Sequence, residues 1–182
     1  AHAFDTSGNH YLGLTDTDRP PVPACPSCSR FPLVAVADNI RSAFNVGGLF
    51  RTADFFGVES LVLCGYTATP ENPQVVRAAL GAEQSVPWRS AENVRDAVKA
   101  LKAEGRKIYA LETAAGAQDV DSFPFEFPAA LLLGSERFGL DPDVVAMADA
   151  VVAIPAHGVK NSLNVVVAFA LAARALRARR GS

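Results

Sequence analysis

Cysteine is scarce in this chain, with three in 182 residues, and so small and odd a set excludes a closed disulfide framework. Cys25-Pro-Ser-Cys28 has zinc-knuckle spacing, but a closed structural site needs four ligands. Cys64 ends an expected core strand, and His2 and His10 fall in a separate leader, so no metal is expected. The plain reading is a pair of reduced thiols in a Pro-rich arm. Long apolar runs are missing too. The longest, Val165–Ala173, is far short of the roughly 20 residues that cross a bilayer, so no membrane partner is expected. No basic-then-apolar leader opens the sequence, which leaves a cytoplasmic location as the expectation. Neither sign of charge dominates: 17 Lys and Arg oppose 19 Asp and Glu, for a net −2. A nucleic-acid partner would then have to be met by a local patch and not by the whole surface field. Internal repeats and low-complexity tracts are also lacking.

What is there is a globular composition, 49% hydrophobic and 20% charged, over a length that suits one domain. Residues 1–32 stand apart. They hold five of the twelve prolines and show no helical or strand period, so they read as an N-terminal arm. Residues 33–182 read as the folded domain. Short apolar strands are expected at Leu33–Ala37, Leu61–Cys64, Lys107–Leu111, Ala129–Leu133 and Ala150–Ile154. Between them lie expected helices at Asn45–Gly57, Val75–Leu80, Glu92–Glu104 and Asp141–Met147, with a last helix from Leu163. Gly105 suits the C-terminal cap of the third helix. Such alternation predicts an α/β fold, a mainly parallel sheet with helices on both faces. No G-x-G-x-x-G follows the first strand, which counts against the nucleotide-binding oxidoreductase that the fold class would otherwise allow.

Ligands of such sheets bind beyond the carboxyl ends of the strands, and three polar loops lie there. In the first, Asp38–Asn45, Asn45 can cap the helix it opens, and Gly47-Gly48 lets another backbone approach. Arg51, six residues on, reads either as a site cation or as half of a surface ion pair with Asp54. The second loop, Gly134-Ser-Glu-Arg-Phe-Gly139, sets Glu136 three residues after an apolar strand. That carboxylate could orient an arginine or a ligand hydroxyl, or simply complement a helix start. In the third, Pro155 ends a strand and Ser162 is a good N-cap for the last helix. From Leu163 that helix is apolar on nearly every face, which predicts burial on all sides. Asn164 interrupts it, and either ties down its own loop or holds the polar edge of a ligand.

Taken in order, Asn45…Arg51, Gly134-Ser-Glu136…Gly139-Leu140 and Ile154-Pro155…Gly158…Ser162-Leu-Asn164 resemble the three motifs of one family. This is the SpoU/TrmH branch of the SPOUT superfamily, the ribose 2′-O-methyltransferases of tRNA and rRNA. The resemblance covers about Leu33 to Leu176. It implies a SPOUT fold whose C-terminal part makes a deep trefoil knot, a topology that general rules would have rejected. It also implies a homodimer that binds S-adenosyl-L-methionine in the knotted region, through Glu112, Thr113, Gly134, Ile154, Ala156, Ser162 and Leu163. By the same resemblance Asn45, Arg51, Glu136, Ser162 and Asn164 are the catalytic set.

The implied reaction is methyl transfer to a ribose 2′-hydroxyl of RNA, with tRNA favoured over rRNA. Arg41, Arg51, Arg137 and Lys160 are the candidate RNA contacts, and Arg30 falls near the same loops. Asn39 and Arg41 could be substrate contacts particular to this chain. Arg174, Arg177, Arg179 and Arg180 either meet RNA phosphates or complement the end of a helix. Where the family often has Ser-Leu-Asn-Val-Ser, Val166 replaces the second serine. The rival readings are a methylase of rRNA or of a base on the same fold, and a knotted dimer that binds RNA without catalysis.

Overall fold

A strand covered on both faces needs apolar residues at odd and even positions alike, and Leu33-Val-Ala-Val-Ala37 supplies them. The computed structural model describes residues 30–159 and 162–179. Seven strands form one sheet: β1 (Phe31–Asp38), β2 (Val58–Cys64), β3 (Trp88–Ala91), β4 (Lys107–Leu111), β5 (Gln118–Asp119), β6 (Ala129–Leu133) and β7 (Ala150–Ala153). Their spatial order is β3-β2-β1-β6-β4-β7-β5, and every neighbouring pair is parallel. The helices are α1 (Ala43–Phe56), α2 (Pro73–Ala79), α3 (Ala82–Ser85), α4 (Val94–Ala103), α5 (Pro142–Val145) and α6 (Val165–Arg179). Leu33, Ala35 and Ala37 pack with α1, α2, α3 and α6 on one face. Val34 and Val36 pack with α4 and α5 on the other. The α/β class with a parallel sheet covered on both faces is therefore present.

Several local expectations need correction. Phe31 and Pro32, read as the end of the arm, open β1, and Phe31 is buried. The register against β2 shifts between Phe31 and Val34, where Pro32 has no N–H to give. Residues 1–29 of the arm, with Cys25 and Cys28, lie outside the described residues, as do Lys160, Asn161 and Arg180. Helix α1 is capped by Ser42 and not by Asn45: the Ser42 hydroxyl accepts from the Asn45 N–H at 3.3 Å. Helix α6 starts at Val165, so Ser162 lies too early to cap it. Asn164 does so, its Oδ1 accepting from the Val166 N–H at 2.9 Å. Nor is α6 buried all round, because Leu163 before it and Val167 and Leu171 within it are exposed.

α1 and α6 run side by side in the same direction. Asn164 meets Asn45 at their starts, Val166 meets Gly48, and Arg177 donates to the Phe56 carbonyl at their ends (2.8 Å). A Cβ on Gly48 would lie 2.8 Å from Val166 Cγ2, so the glycine is what lets the helices close. The Val166 that departs from the family pattern fills this contact. Arg177 and Arg179 spend their guanidinium groups on backbone carbonyls, of Phe56 and of Asp121. Arg30 does the same at the start of β1, donating to Val58 (3.1 Å) and to Ser85. Arg30 and Arg177 thus brace the fold near the start of β1, and Arg179 ties the end of α6 to the segment after β5.

Candidate active site

A cleft of about 560 Å³ opens at the carboxyl ends of β4, β6 and β7. That is where ligands of parallel sheets bind, and the volume falls within the roughly 300–1,000 Å³ of small-molecule sites. Three stretches line it: Leu111–Thr113, Leu133–Gly139 and Ala153–Gly158, with Ser162 and Leu163 and the first turns of α6 closing the side. All seven residues expected at the cofactor line this cleft: Glu112, Thr113, Gly134, Ile154, Ala156, Ser162 and Leu163.

The loop after β6 is stiff for reasons its sequence supplies. Ser135 and Gly139 exchange two backbone hydrogen bonds (3.2 and 2.9 Å), and the Ser135 hydroxyl accepts from the Phe138 N–H (3.1 Å). A Cβ on Gly134 would overlap the Gly139 carbonyl carbon and lie 2.5 Å from the Leu140 nitrogen. Only glycine lets the loop fold back so tightly. Glu112 latches it from β4, one carboxylate oxygen accepting from the Leu140 N–H and the other from the Thr113 N–H, both at 3.0 Å. Its carboxylate thereby positions the loop while still lining the cleft.

At the lip of the cleft Glu136 ends a hydrogen-bonded chain of three side chains, the other two standing at the starts of α1 and α6. Asn45 Nδ2 donates to Glu136 Oε1 at 2.7 Å, and Asn164 Nδ2 donates to Asn45 Oδ1 at 3.1 Å. The second Glu136 oxygen accepts from the Arg41 N–H at 3.2 Å. An ionised carboxylate can only accept, so Asn45 must present its amide nitrogen to Glu136 and its oxygen to Asn164. Asn164 must then donate to Asn45, which leaves its oxygen for the Val166 N–H. Chemistry fixes the direction of the whole chain. Burial pushes the Glu136 carboxyl up, but Asn45 and the backbone N–H groups of Glu136, Arg41 and Ser42 outweigh it and hold its pKa below the ordinary value.

Other candidates stand elsewhere. Arg51 is exposed, lines no part of the cleft, and makes no ion pair or hydrogen bond among the described residues. The expected partner Asp54 instead accepts from the Ser85 hydroxyl at 2.5 Å. Arg41 reaches Glu136 with its backbone, while its side chain is exposed. Asn39 is not free for a substrate: at φ 54° its amide donates to Asp38 (3.0 Å) and accepts from the Tyr66 N–H (3.3 Å). Arg137 is on the cleft rim, its guanidinium 5.2 Å from the centre of the Phe138 ring. Leu111, Leu133 and Phe138 also line the cleft, and sequence reasoning did not assign them. The first two end strands beside flagged loops, so the carboxyl-end rule applied to the strand as well as the loop would have found them.

Among the described residues no cluster of His, Cys, Asp and Glu could hold a metal ion, and no helix is long and apolar enough to cross a membrane.

Comparison with known proteins gives this geometry its family. The chain is 34% identical over 146 residues to the 23S rRNA (guanosine(2553)-2′-O)-methyltransferase of Bacillus subtilis, covering 79% of this chain and 57% of that protein. It is 30% identical over 141 residues to the tRNA (guanosine(18)-2′-O)-methyltransferase of Escherichia coli, covering 76% and 60%. The chain thus spans about 60% of the length of the curated relatives it matches. The AdoMet-bound rRNA methyltransferase structure from Sinorhizobium meliloti superposes with a TM-score of 0.75 at 30% identity, over 84% of this chain and 57% of that one. The SpoU rRNA Methylase family matches residues 32–174, from the first strand into the last helix, and the chain belongs to that family of RNA methyltransferases.

Proposed function

We propose that this chain transfers a methyl group from S-adenosyl-L-methionine to a ribose 2′-hydroxyl of RNA, with tRNA as the favoured substrate. The observation that carries the reading is the meeting of three distant stretches at one cleft, with the Asn164–Asn45–Glu136 chain reaching its lip. The residues present fit the cofactor. Leu111, Leu133, Leu163 and Val165 offer an apolar wall for a flat ring, and the Glu136 carboxylate at the lip suits a cation. When bound, S-adenosylmethionine supplies an electrophilic methyl group on a positively charged sulfur. The chain's own work is to hold the hydroxyl in line, exclude water and stabilise the oxygen as it loses its proton.

Arg51 is the residue proposed to act on the hydroxyl. A guanidinium stays protonated in proteins, so its task is to hold a neighbouring phosphate and favour the alkoxide electrostatically, not to take the proton. Because Arg51 stands outside the cleft of its own chain, we place it at a homodimer interface. The support is on the surface. Phe44, Arg51 and Phe55 form one stripe of α1, and Val167 and Leu171 lie exposed on the neighbouring α6. Pairing of this face with a second copy would cover the apolar area and bring Arg51 to the acceptor from across the interface.

The same reading includes the trefoil knot. What supports it is the placement of β7 on one side of β4 and of α6 beside α1 over β1.

The test is methyl incorporation from labelled S-adenosylmethionine into bulk tRNA and, separately, ribosomal RNA, followed by nucleoside analysis. Label on 2′-O-methylated nucleosides from tRNA is the expected result. Label on a base, or in neither RNA, would reject it.

A further inference from the structure

Leu140 is buried at the base of the Gly134–Leu140 loop, but Phe138, two residues earlier, is 78% exposed and packs into nothing in the fold's core. Its backbone is nonetheless held in place. The Phe138 N–H is tied to the Ser135 hydroxyl, the loop is closed by the Ser135–Gly139 pair, and neighbouring Glu136 is bonded to Asn45 and Arg41. The Arg137 guanidinium lies over the ring, 5.2 Å from its centre. Both side chains sit on the cleft rim beside Glu136. This is an exposed aromatic ring on a braced loop, with a cation over it, at the rim of the cleft.

We propose that Phe138, backed by Arg137, is a stacking platform for an unpaired base of the RNA, at the acceptor nucleotide or next to it. The proposal rests on the methyltransferase reading. A base has a flat face that stacks on an aromatic ring whatever its sequence, and the guanidinium meets the phosphate the same nucleotide carries. A base inside a duplex cannot lie on a protruding ring, so the platform selects looped or single-stranded segments. The ring also lines the rim of the cofactor's cleft, so its two contacts are separated by comparing RNA and cofactor affinities. Its energy is present before and during transfer, so it acts on KM and leaves kcat near normal.

The experiment compares the full chain with Phe138→Ala and Phe138→Trp, using bulk tRNA in a methyl-transfer assay and calorimetry with S-adenosylmethionine. Phe138→Ala should raise the KM for tRNA roughly 5- to 150-fold, the range of one lost base stack, and any loss of cofactor affinity should be several-fold smaller than that rise. Phe138→Trp should restore the KM. Its new emission, read above that of Trp88, the single natural tryptophan, should be quenched by a single-stranded oligonucleotide and not by a duplex. An unchanged KM in Phe138→Ala would overturn the platform, as would tRNA binding to Phe138→Trp without quenching. Equal loss of cofactor affinity would make the ring a cofactor lid. A shift to monomer would make it a dimer contact, and either result rejects the proposal. Wild-type protein that methylates no RNA would overturn the underlying reading, whereas normal transfer that ignores Phe138 overturns the platform alone.

Discussion

Asn164 donates to Asn45 across 119 residues of chain, with 3.1 Å between nitrogen and oxygen. The same amide caps α6 through its oxygen, so one side chain both starts a helix and joins two motifs. The two tasks can be separated. Asn164→Asp keeps a good N-cap but turns an acceptor toward Asn45 Oδ1, which cannot rotate away without releasing Glu136. We expect this variant to unfold within about 1 kcal/mol of wild type and to lose more than tenfold in methyl transfer. Denaturant titration beside the transfer assay checks both halves, and full activity would show that the link between the asparagines is dispensable.

Glu136 predicts an acid dependence of known sign. Its folded pKa lies below the ordinary 4.5, because hydrogen bonds to the charged form outweigh burial. Its contribution is therefore complete above 4.5 and is lost as pH falls through the lower folded value. Glu136→Gln should be less stable than wild type at neutral pH, and the gap should narrow below pH 4.5. Unfolding curves across that window measure it. A gap that widens toward acid would contradict the assignment.

How much of this was legible in the sequence depends on reach. The inner strands were, because Leu131 and Val36 come from runs that can only be covered on both faces. β3 and β5 were not: Trp88–Ala91 is half exposed at an edge and Gln118–Asp119 is two residues long, so neither has a pattern to detect. The caps were misplaced by two or three residues, onto Asn45 and Ser162, since composition shows that a polar residue caps but not where the chain turns. The tie from Asn45 to Glu136 spans 91 residues and no local rule contains it. Exposure of Val167 and Leu171 was missed because an apolar helix reads as buried whether its cover is the same chain or a second one.

Arg51 gives the sharpest test of the proposed dimer. Arg51→Ala should lose at least about a hundredfold in transfer while cofactor affinity stays within about threefold, as for a group that acts in the transition state. Gly134→Ala should instead lose cofactor binding, because its Cβ has no room against Gly139 and Leu140. If Arg51 serves the partner's cleft, mixing the two inactive variants should restore up to about a quarter of wild-type sites, since half of the mixed dimers' sites combine two intact parts. Mixing that restores nothing would put Arg51 and the cleft it serves on one chain.

Cys64 should be chemically silent. Burial first, and the charge of Asp38 next, push its thiol up to about 12, with Arg89 opposing. In a Cys25→Ser, Cys28→Ser double variant, thiol reagents at neutral pH should find nothing until denaturant is added, and then one thiol. Rapid labelling of the native double variant would mean that the end of β2 opens readily.

The cleft has unequal walls. The Gly134–Leu140 side is clamped by Glu112, Asn45 and its own backbone pair, whereas residues 155–159 are exposed and make no hydrogen bond among the described residues. Under the proposed function, the side around residues 155–159 is the one that can give way to a ligand at least cost, since the loop that carries Glu136 is tied on three sides. A substitution among residues 155–159 would then change how a ligand enters without disturbing any hydrogen bond of the lip.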